Sequence, residues 1–473
     1  MRFKQLEEHQ RDLENLSREL RHATHKGAII SLSRERRPSS TTRNATYKNQ
    51  CQLLDLSSLS AICAVDTQAK IVLAEPKVTM EALTKATLPY NLIPAVVPEF
   101  RHITVGGAIM GAALESSSHR EGQFNDTCLW VELLLATGEI IHASPSENSD
   151  LFWALPGSFG TLALITLAAI RLVPSSRYIR LKTTTYSSRE ALFTAFGRPH
   201  SAQFVEGLSF SPSSSLLLEG EISDAAPLRL RRLSRPWNPW FYQHLLKTAL
   251  QMRKASSSEE LIPTLDYLFR YDKAAFWMGR YALDLRFLRA FLFGKDRGAL
   301  PRSDRLATPS LLFRCLFYKL LTCQSLYRRL HLIPEELLAR FYLIQDCYIP
   351  YSQALTFTQN IESTLSLSPL WLCPVLGTER PAILSPHYRP EGEKMMVNIG
   401  LYGSPHKPVG ALPLVEALTR GCKGRKMLYG RSSYSQGEFW SIYDELSYKR
   451  LRHLYGAEGR LVQLTDKLLL PKV

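Results

Sequence analysis

The chain has 473 residues, of which 45% are hydrophobic and 21% are charged; this composition excludes a fibrous or wholly disordered protein and leaves room for two or three folded domains. The formal net charge of +15 favours an anionic partner, such as a phosphorylated cofactor or an acidic membrane surface, although such charge is also common on solvated faces. No RNA-binding or helix-turn-helix signature accompanies the charge, so we expect no nucleic-acid partner.

The eight cysteines are scattered, with no Cys-x-x-Cys pair and no neighbouring histidine at metal-ligand spacing. We therefore expect free thiols in a reducing compartment and no metal site. The first residues are charged rather than apolar, which argues against a secretory signal, and no apolar run approaches the ~20 residues that a membrane span needs. These features predict a cytoplasmic protein.

The N-terminal region predicts a helix, a strand and a polar loop. Apolar residues recur at helical spacing over residues 3–22, which is typical of a surface helix. Residues 27–32 then predict a strand, and the hydroxyl-rich and arginine-rich loop 34–43 follows it. Such a loop can hold a pyrophosphate through backbone amides and arginines, but a disordered basic loop has the same composition. The sequence leaves both interpretations open.

The most informative stretch covers residues 104–122. Glycines at positions 106, 107 and 111 remove side chains where a backbone comes close to a ligand, and three serines follow at 116–118. This combination suits a phosphate-bearing cofactor, although glycine runs also form ordinary tight turns.

The flanking residues predict a regular order of elements. Two apolar runs within 61–76 predict a hairpin, and Thr79 is a candidate cap for a helix over 78–87. Residues 129–143 predict a second hairpin around Thr-Gly-Glu. A short capped helix is expected over 146–154, followed by a glycine turn that leads into a buried strand over 157–166.

In this order of elements the chain resembles the FAD-binding superfamily of p-cresol methylhydroxylase and vanillyl-alcohol oxidase. Within it, the chain is similar to the Δ24-sterol reductases, also called the 24-dehydrocholesterol reductase or diminuto type. The specific strings are Thr-Val-Gly-Gly-Ala-Ile-Met-Gly over 104–111, Glu-Ser-Ser-Ser-His over 115–119 and Pro-Ser-Glu-Asn-Ser-Asp-Leu-Phe over 145–152. Further strings, including Gln345-Asp346 and 369–374, extend the resemblance over nearly the whole chain.

Two departures from the family pattern stand out. Animal and plant members carry an N-terminal membrane segment ahead of the charged helix with which this chain begins, which puts membrane integration in doubt. Family members tend to have Pro-Gly in the first polar loop, whereas Pro38 is followed here by Ser39. The geometry around the pyrophosphate is therefore expected to differ in detail.

The resemblance implies an α+β fold with a two-subdomain FAD-binding domain of the p-cresol methylhydroxylase type, followed by an α+β substrate or cap domain. The predicted divisions are an N-terminal surface helix over 1–24, the FAD-binding domain over 25–176 and the substrate domain with C-terminal helices over 177–473.

The cofactor implied by the resemblance is FAD. We expect it to be bound non-covalently, because the first loop holds no histidine or cysteine, and His119 is a weak candidate for a covalent link. The implied cofactor-binding residues lie in the glycine stretch, the serine cluster, the following glycine turn and the first loop: Thr104, Val105, Gly106, Gly107, Ala108, Ile109, Met110, Gly111, Glu115, Ser116, Ser117, Ser118, Gly122, Gly160, Thr161, Ile165, Thr41 and Arg43.

The activity implied by the resemblance is reduction of the Δ24 double bond of a sterol or similar isoprenoid, with NADPH as electron donor. Such a reaction needs an acid, an apolar slot and a group that stabilises developing positive charge. Tyr402, Tyr429 and Tyr434 are candidate acids, Glu206 is a candidate carboxylate, and Trp371 and Trp440 are candidate walls, although each type of residue is also common in structural roles. A flavin oxidase of an alcohol, aldose or lactone and a non-catalytic scaffold are the alternatives.

The region 276–332 is apolar and basic. Its apolar residues at helical spacing are typical of a core. Together with Arg289, Arg314, Lys319, Arg328 and Arg329, they alternatively predict peripheral contact with an anionic membrane on its cytosolic face.

Overall fold

The computed structural model of the protein describes residues 2–33, 41–43, 45–225, 230–252, 256–283, 311–380 and 382–469. Most of the first polar loop (34–40) and residues 284–310 of the apolar and basic region, which include Arg289, lie outside these residues. Among the described residues, no helix is both long enough and apolar enough to cross a membrane. All eight cysteines lie within the described residues and are free thiols, as the sequence predicted.

The first half of the chain, up to residue 174, forms one layered unit. Its helices are α1 Leu6–His25, α2 Met80–Thr87, α3 Val105–Met110, α4 Ser118–Glu121 and α5 Ser149–Ala154, with 3₁₀ turns at Thr46–Gln50, Leu88–Tyr90 and Phe124–Thr127. Its strands are β1 Ile30–Leu32, β2 Gln52–Leu54, β3 Ile62–Asp66, β4 Ile71–Ala74, β5 Leu92–Pro94, β6 Cys128–Leu134, β7 Ile140–Ala143 and β8 Leu164–Pro174.

An antiparallel sheet of order β3-β4-β8-β6-β7, with β5 also on β8, organises the described part of this half. Both predicted hairpins are confirmed: Asp66 pairs with Ile71, and Leu134 with Ile140. The Thr79 cap is confirmed too, because its hydroxyl oxygen accepts a hydrogen bond from the Ala82 amide at 3.2 Å.

One cap prediction is wrong. Helix α5 forms where expected, but Asn148 at its N-cap has a left-handed backbone, and its side chain makes no capping bond. The Asn148 amide group instead donates to the His142 carbonyl at 2.6 Å, so it closes the preceding turn rather than the helix.

The second half of the chain is built on a larger sheet. Its strands are β9 Tyr178–Tyr186, β10 Phe204–Ser211, β11 Ser214–Ser223, β12 Ser257–Pro263, β13 Leu343–Pro350, β14 Leu370–Leu376, β15 Met395–Gly403 and β16 Arg425–Lys426. Its helices are α6 Arg189–Phe196, α7 Phe241–Gln251, α8 Thr264–Leu268, α9 Leu311–Phe317, α10 Cys323–Leu330, α11 Glu335–Ala339, α12 Tyr351–Leu365, α13 Ala411–Gly421, α14 Gln436–Ile442, α15 Glu445–Leu454 and α16 Leu464–Leu468, with a 3₁₀ turn at Met278–Leu283.

This sheet has the order β12-β9-β11-β10-β14-β15-β13-β16 in the described chain, and its pairs are antiparallel. Helices α6, α12 and α13 share a core with the sheet, and a second, larger core joins it to the first half. The predicted α+β fold with two main units is confirmed. The domain limits at residues 24 and 176 stay predictions.

The C-terminal helices return to the first half. Arg452 on α15 donates to the Thr161 carbonyl at 2.6 Å, and Tyr448 donates to the Thr161 hydroxyl at 3.0 Å. Ala457 and Leu461 share a small core with α1. The first half is therefore completed by residues from the far end of the sequence.

Buried charges attach α1 to the first sheet. His9 bridges Glu75 and Glu132 through its two ring nitrogens, at 2.8 and 2.9 Å, and Lys4 contacts Glu75 at 2.8 Å. Burial alone would lower the pKa of His9, but its hydrogen bonds to Glu132 and Glu75 raise that pKa to about 9. The predicted N-terminal helix is thus held by a charged imidazolium.

We predict that the stabilisation by His9 is present in full below pH ~6.5 and is lost as the pH rises through about 9, because the folded-state pKa lies above the unfolded one. The variant His9→Ala should lower the free energy of unfolding by about 3 kcal/mol at pH 6, and by clearly less at pH 10. Urea unfolding followed by circular dichroism measures both values. His22→Ala, on an exposed position of the same helix, is the control; an equal loss for His9→Ala at both pH values would contradict the assignment.

Candidate active site

A cavity of about 1030 Å³ is lined by residues of both halves. Its size is at the upper end of the range for small-molecule and cofactor sites. The first half contributes β1, the glycine stretch and residues 98–103, and the second half contributes β13, the 275–281 segment and the chain around α10 and α11.

The glycine stretch forms helix α3 rather than an open turn. The Thr104 hydroxyl oxygen accepts from the Gly107 amide at 3.2 Å and caps this helix. A Cβ on Gly106 would lie 2.9 Å from the Pro76 Cβ, so glycine is required for helix packing there. The backbone of Gly106, Gly107 and Gly111 thereby becomes part of the cavity wall.

The predicted cofactor residues fall into two groups, according to whether the described cavity wall includes them. Those in the described cavity wall are Thr41, Arg43, Thr104, Gly106, Gly107, Met110, Gly111 and Ile165. Those that the described wall does not include are Val105, Ala108, Ile109, Glu115, Ser116, Ser117, Ser118, Gly122, Gly160 and Thr161. Val105, Ala108 and Ile109 belong to the core because α3 turns their side chains inward.

The serine cluster makes hydrogen bonds within the protein. Ser117 donates to the Ala95 carbonyl at 2.8 Å, Ser118 accepts from the Glu115 amide at 3.0 Å, and Ser116 donates to the Glu115 carboxylate. These contacts fix the turn between α3 and α4. A role of these hydroxyls in cofactor binding stays a prediction.

Glu206, a candidate catalytic carboxylate, lies in a buried ion cluster. Arg270 contacts Glu206 at 2.9 Å and Glu115 at 2.5 Å, and the Trp371 indole donates to Glu206 at 2.7 Å. All three charged side chains are almost completely buried. The geometry gives Glu206 a joining role between the halves, and the described cavity wall does not include it.

The two tyrosines predicted as acids at positions 402 and 429 converge on one carboxylate. Tyr402 and Asn398 each donate to Asp346 Oδ1 at 2.7 Å, and Tyr429 donates to Oδ2 at 2.6 Å. Burial raises the pKa of Asp346, while the three donated hydrogen bonds favour its ionised form. Burial and the nearby Asp346 charge raise the pKa of both tyrosines well above 10, so both are neutral phenols.

The third predicted acid, Tyr434, lies elsewhere. Its ring contacts the cations of Lys426 and Arg420, at 5.4 and 5.7 Å, and it is not part of the described cavity wall. Burial raises its pKa above the usual value.

Glu99 is an acid in the cavity wall that sequence reasoning missed. It is 9% exposed, and burial raises its pKa well above the ordinary value, with the charges of Glu115 and Asp346 adding to the increase. Glu99 therefore holds its proton to a higher pH than an ordinary glutamate does. The sequence signal for Glu99 is that it is the single acidic residue in the apolar run 96–100. Asp346 is likewise the single acidic residue of strand β13.

Aromatic rings surround this polar centre. Phe276 lies 5.0 Å from the Trp371 ring and 4.9 Å from the Tyr402 ring, and all three line the cavity. His102 is also in the wall, and burial lowers its pKa to about 4, so it is neutral. Trp440, the other predicted wall, instead packs on Tyr448 at 5.3 Å.

The cavity wall combines two kinds of chemistry. Arg43, Lys48 and Lys467 line it beside β1, where Arg43 donates to the Lys467 carbonyl at 2.8 Å and lies over the Phe159 ring. Helices α10 and α11 and the turn between them contribute a group of apolar side chains: Leu326, Leu330, Leu332, Ile333 and Leu338. The cationic side chains suit phosphate groups, and the apolar side chains suit a lipid.

Comparison with known proteins places the chain in a family. Over 423 residues it is 30% identical to the Delta(24)-sterol reductase of Homo sapiens, covering 87% of this chain and 76% of the relative. The chain belongs to the Δ24-sterol reductase family. A Delta(24)-sterol reductase of Pisum sativum is 28% identical, with 90% of this chain and 78% of that relative covered.

Two shorter matches concern the first half. Residues 11–144 match a family model described as an FAD binding domain. A decaprenylphosphoryl-beta-D-ribose oxidase of Mycolicibacterium smegmatis is 36% identical over 124 residues, covering 26% of this chain and 27% of that protein. The predicted membership of the Δ24-sterol reductases is confirmed over a far longer part of the chain.

We predict that Gly106→Ala lowers the free energy of unfolding by about 1–3 kcal/mol and reduces flavin binding, because the added Cβ overlaps Pro76 and displaces α3. Thermal unfolding and the visible spectrum of the purified protein measure the two effects. Gly437→Ala is the control, since its Cβ would meet nothing within 4 Å inside helix α14. Unchanged stability and flavin content in Gly106→Ala would show that the contact with Pro76 does not position the wall.

Proposed function

We propose that the protein is an FAD-dependent oxidoreductase that saturates the Δ24 side-chain double bond of a sterol, or of a similar isoprenoid, with NADPH as electron donor. The observation that carries this proposal is one cavity whose wall combines cationic side chains, the backbone of the glycine helix and a group of apolar side chains. The relationship to Delta(24)-sterol reductases over 87% of the chain supports it.

The cationic and glycine residues of the wall fit FAD. Arg43, Lys48 and Lys467 supply positive charge for its phosphates, and the backbone of Gly106 and Gly107 lines the same cavity, where a cofactor can approach it closely. When bound, FAD supplies the hydride for the reduction. We propose that FAD is dissociable, because the loop 34–43 lacks histidine and cysteine. The two ring nitrogens of His119 are already hydrogen-bonded to the carbonyl groups of Ser116 and Ala202.

Saturation of an isolated alkene also needs a proton, and we assign this step to Glu99. The acid must be neutral, close to the substrate and stronger than an unperturbed phenol. Burial raises the pKa of Glu99 and so favours its neutral form, and Glu99 lines the same cavity. The O–H groups of Tyr402 and Tyr429 instead point at Asp346, so their protons are already engaged.

Protonation of the alkene leaves positive charge on the adjacent tertiary carbon. The Asp346 carboxylate and the faces of Phe276, Trp371 and Tyr402 surround the cavity centre and would stabilise that charge. Tyr402 and Tyr429 act as positioning residues, since their hydrogen bonds orient the Asp346 carboxyl group and favour its ionised form against the effect of burial. Burial of the centre excludes water, which would otherwise trap the cation.

We predict that anaerobic addition of NADPH bleaches the flavin absorbance, and that a Δ24-unsaturated sterol then restores it with formation of the saturated product. Absorbance at the flavin maximum and mass spectrometry of the sterol follow the two half-reactions. Acid precipitation should release the yellow colour into solution, as expected for non-covalent FAD. A flavin that NADPH does not reduce would overturn the assignment of the electron donor.

The same preparation separates the alternatives. The match to an oxidase of a decaprenylphosphoryl sugar makes a flavin oxidase the second candidate, and that activity would release hydrogen peroxide under air with an alcohol, aldose or lactone. A colourless protein that takes up no FAD would support a scaffold. The oxidase match covers only 26% of the chain, which favours the reductase.

We predict that Glu99→Gln lowers the turnover number by about 10²–10⁴-fold while flavin content and reduction by NADPH are retained, because the amide cannot supply the proton. In the unmutated protein, turnover should fall as the pH rises through the raised pKa of Glu99, and this basic limb should vanish in the variant. Tyr434→Phe, outside the described cavity wall, is the control and should keep full turnover. A Glu99→Gln enzyme with normal turnover and pH profile would exclude Glu99 as the acid.

A further inference from the structure

An exposed apolar surface lies close along the chain to the apolar side chains of the cavity wall. On helix α9, Leu312 is 69% and Leu316 is 67% exposed, and Leu332 after α10 is 76% exposed. Exposed leucines of this number on one short segment are unusual, since soluble surfaces rarely concentrate large apolar side chains. We call this the entrance surface: Leu311, Leu312, Cys315, Leu316, Leu320 and Leu332.

The leucines of α9 point outward because the opposite side of this helix is attached to the rest of the protein. Arg314 donates to the Trp237 carbonyl at 3.1 Å, and Tyr318 donates to the Ser234 carbonyl at 3.1 Å. Phe317 packs against the main core, and the Leu321 carbonyl accepts from the Ala274 amide at 2.8 Å. One side of the helix is thus anchored to the protein.

The free side of α9 is uniformly apolar. Leu311, Leu312, Cys315 and Leu316 are exposed and occupy positions i, i+1, i+4 and i+5, which lie on one face of a helix. A face of this kind is typical of a helix that rests on a lipid surface.

The entrance surface is continuous along the chain with the cavity wall. Leu326, Leu330 and Ile333 line the cavity, and Leu332 both lines it and is exposed. The Leu321 carbonyl accepts a hydrogen bond from Ala274, and the next two residues, Ala275 and Phe276, also line the cavity. Leu332 is therefore a residue at which the exposed surface and the cavity wall meet.

The charge of this segment selects the kind of membrane. Residues 311–334 contain four basic residues, Arg314, Lys319, Arg328 and Arg329, and no acidic residue. Lys319 and Arg328 are exposed. Basic side chains around an apolar helix face favour a bilayer that carries anionic lipid, because each adds attraction to the negative surface.

We propose that the entrance surface docks the protein on an anionic lipid bilayer, so that the substrate passes from the bilayer directly into the cavity. The transfer of substrate rests on the proposed function, whereas the docking itself does not. Leu311, Leu312 and Leu316 enter the acyl boundary, and Lys319 and Arg328 contact the headgroups.

The test is co-sedimentation of the flavin-loaded protein with vesicles of phosphatidylcholine alone or with phosphatidylserine added. The unmutated protein should bind the anionic vesicles, bind neutral ones at least tenfold more weakly, and be released by high salt. Leu312→Asp with Leu316→Asp should lower binding at least tenfold. Leu446→Asp is the matched control, since Leu446 is 82% exposed on helix α15 and should be dispensable.

A second readout uses the exposed Cys315 thiol on the same helix face. Its modification rate, followed by mass spectrometry of the peptide that carries it, should fall several-fold when anionic vesicles are present and not with neutral ones. The leucine variants should keep their thermal stability and their reduction by NADPH without vesicles, which separates this proposal from the proposed function. Equal vesicle binding by the double variant, no binding by the unmutated protein, or self-association through this surface would each overturn the proposal.

Discussion

The buried guanidinium of Arg270 is the interaction on which the rest of the site depends. It pairs with Glu115, which follows the glycine helix of the first half, and with Glu206 on β10 of the second half. A buried charge without partners costs several kcal/mol, so this cation is stable only when both halves are in place. Because Trp371 donates to the same Glu206, the ion cluster also sets one aromatic wall of the cavity.

Once the halves are joined, the cavity wall combines residues that are far apart in the sequence. Its cationic residues, Arg43, Lys48 and Lys467, are brought together by the return of the C-terminal helices. Burial raises the pKa of both its carboxyl groups, Glu99 and Asp346, and Asp346 also accepts three hydrogen bonds, which favour its ionised form. Different surroundings are one means by which two acids of one site take different roles.

Much of the fold was predictable from the sequence because its signals are local. The two hairpins, the Thr79 cap and helix α1 each follow from residues within one element, and the family strings locate the glycine stretch correctly in the cavity wall. The side-chain cap expected for α5 is missing because the Asn148 amide at the N-cap position closes the preceding turn instead. The family assignment is confirmed by relatives that cover most of the chain.

The site was harder to predict because its partners are distant in sequence. Glu206 was a candidate carboxylate, and its partner Arg270 lies 64 positions away, so nothing local reveals the pair. Ser117 and Ser118 form hydrogen bonds with the Ala95 carbonyl and the Glu115 amide, and their role toward a cofactor stays a prediction. Glu99 and Asp346 went unassigned because a single acid in an apolar run gains its chemistry only from tertiary burial.

The most direct test of this account is an experimental structure of the protein with FAD and a Δ24-unsaturated sterol bound. The account predicts the flavin phosphates beside Arg43, Lys48 and Lys467, and the sterol double bond near the Glu99 carboxyl group, about 3 Å from its oxygen to the carbon that receives the proton. A flavin bound away from the glycine helix, or a sterol side chain that does not reach Glu99 and Asp346, would contradict it.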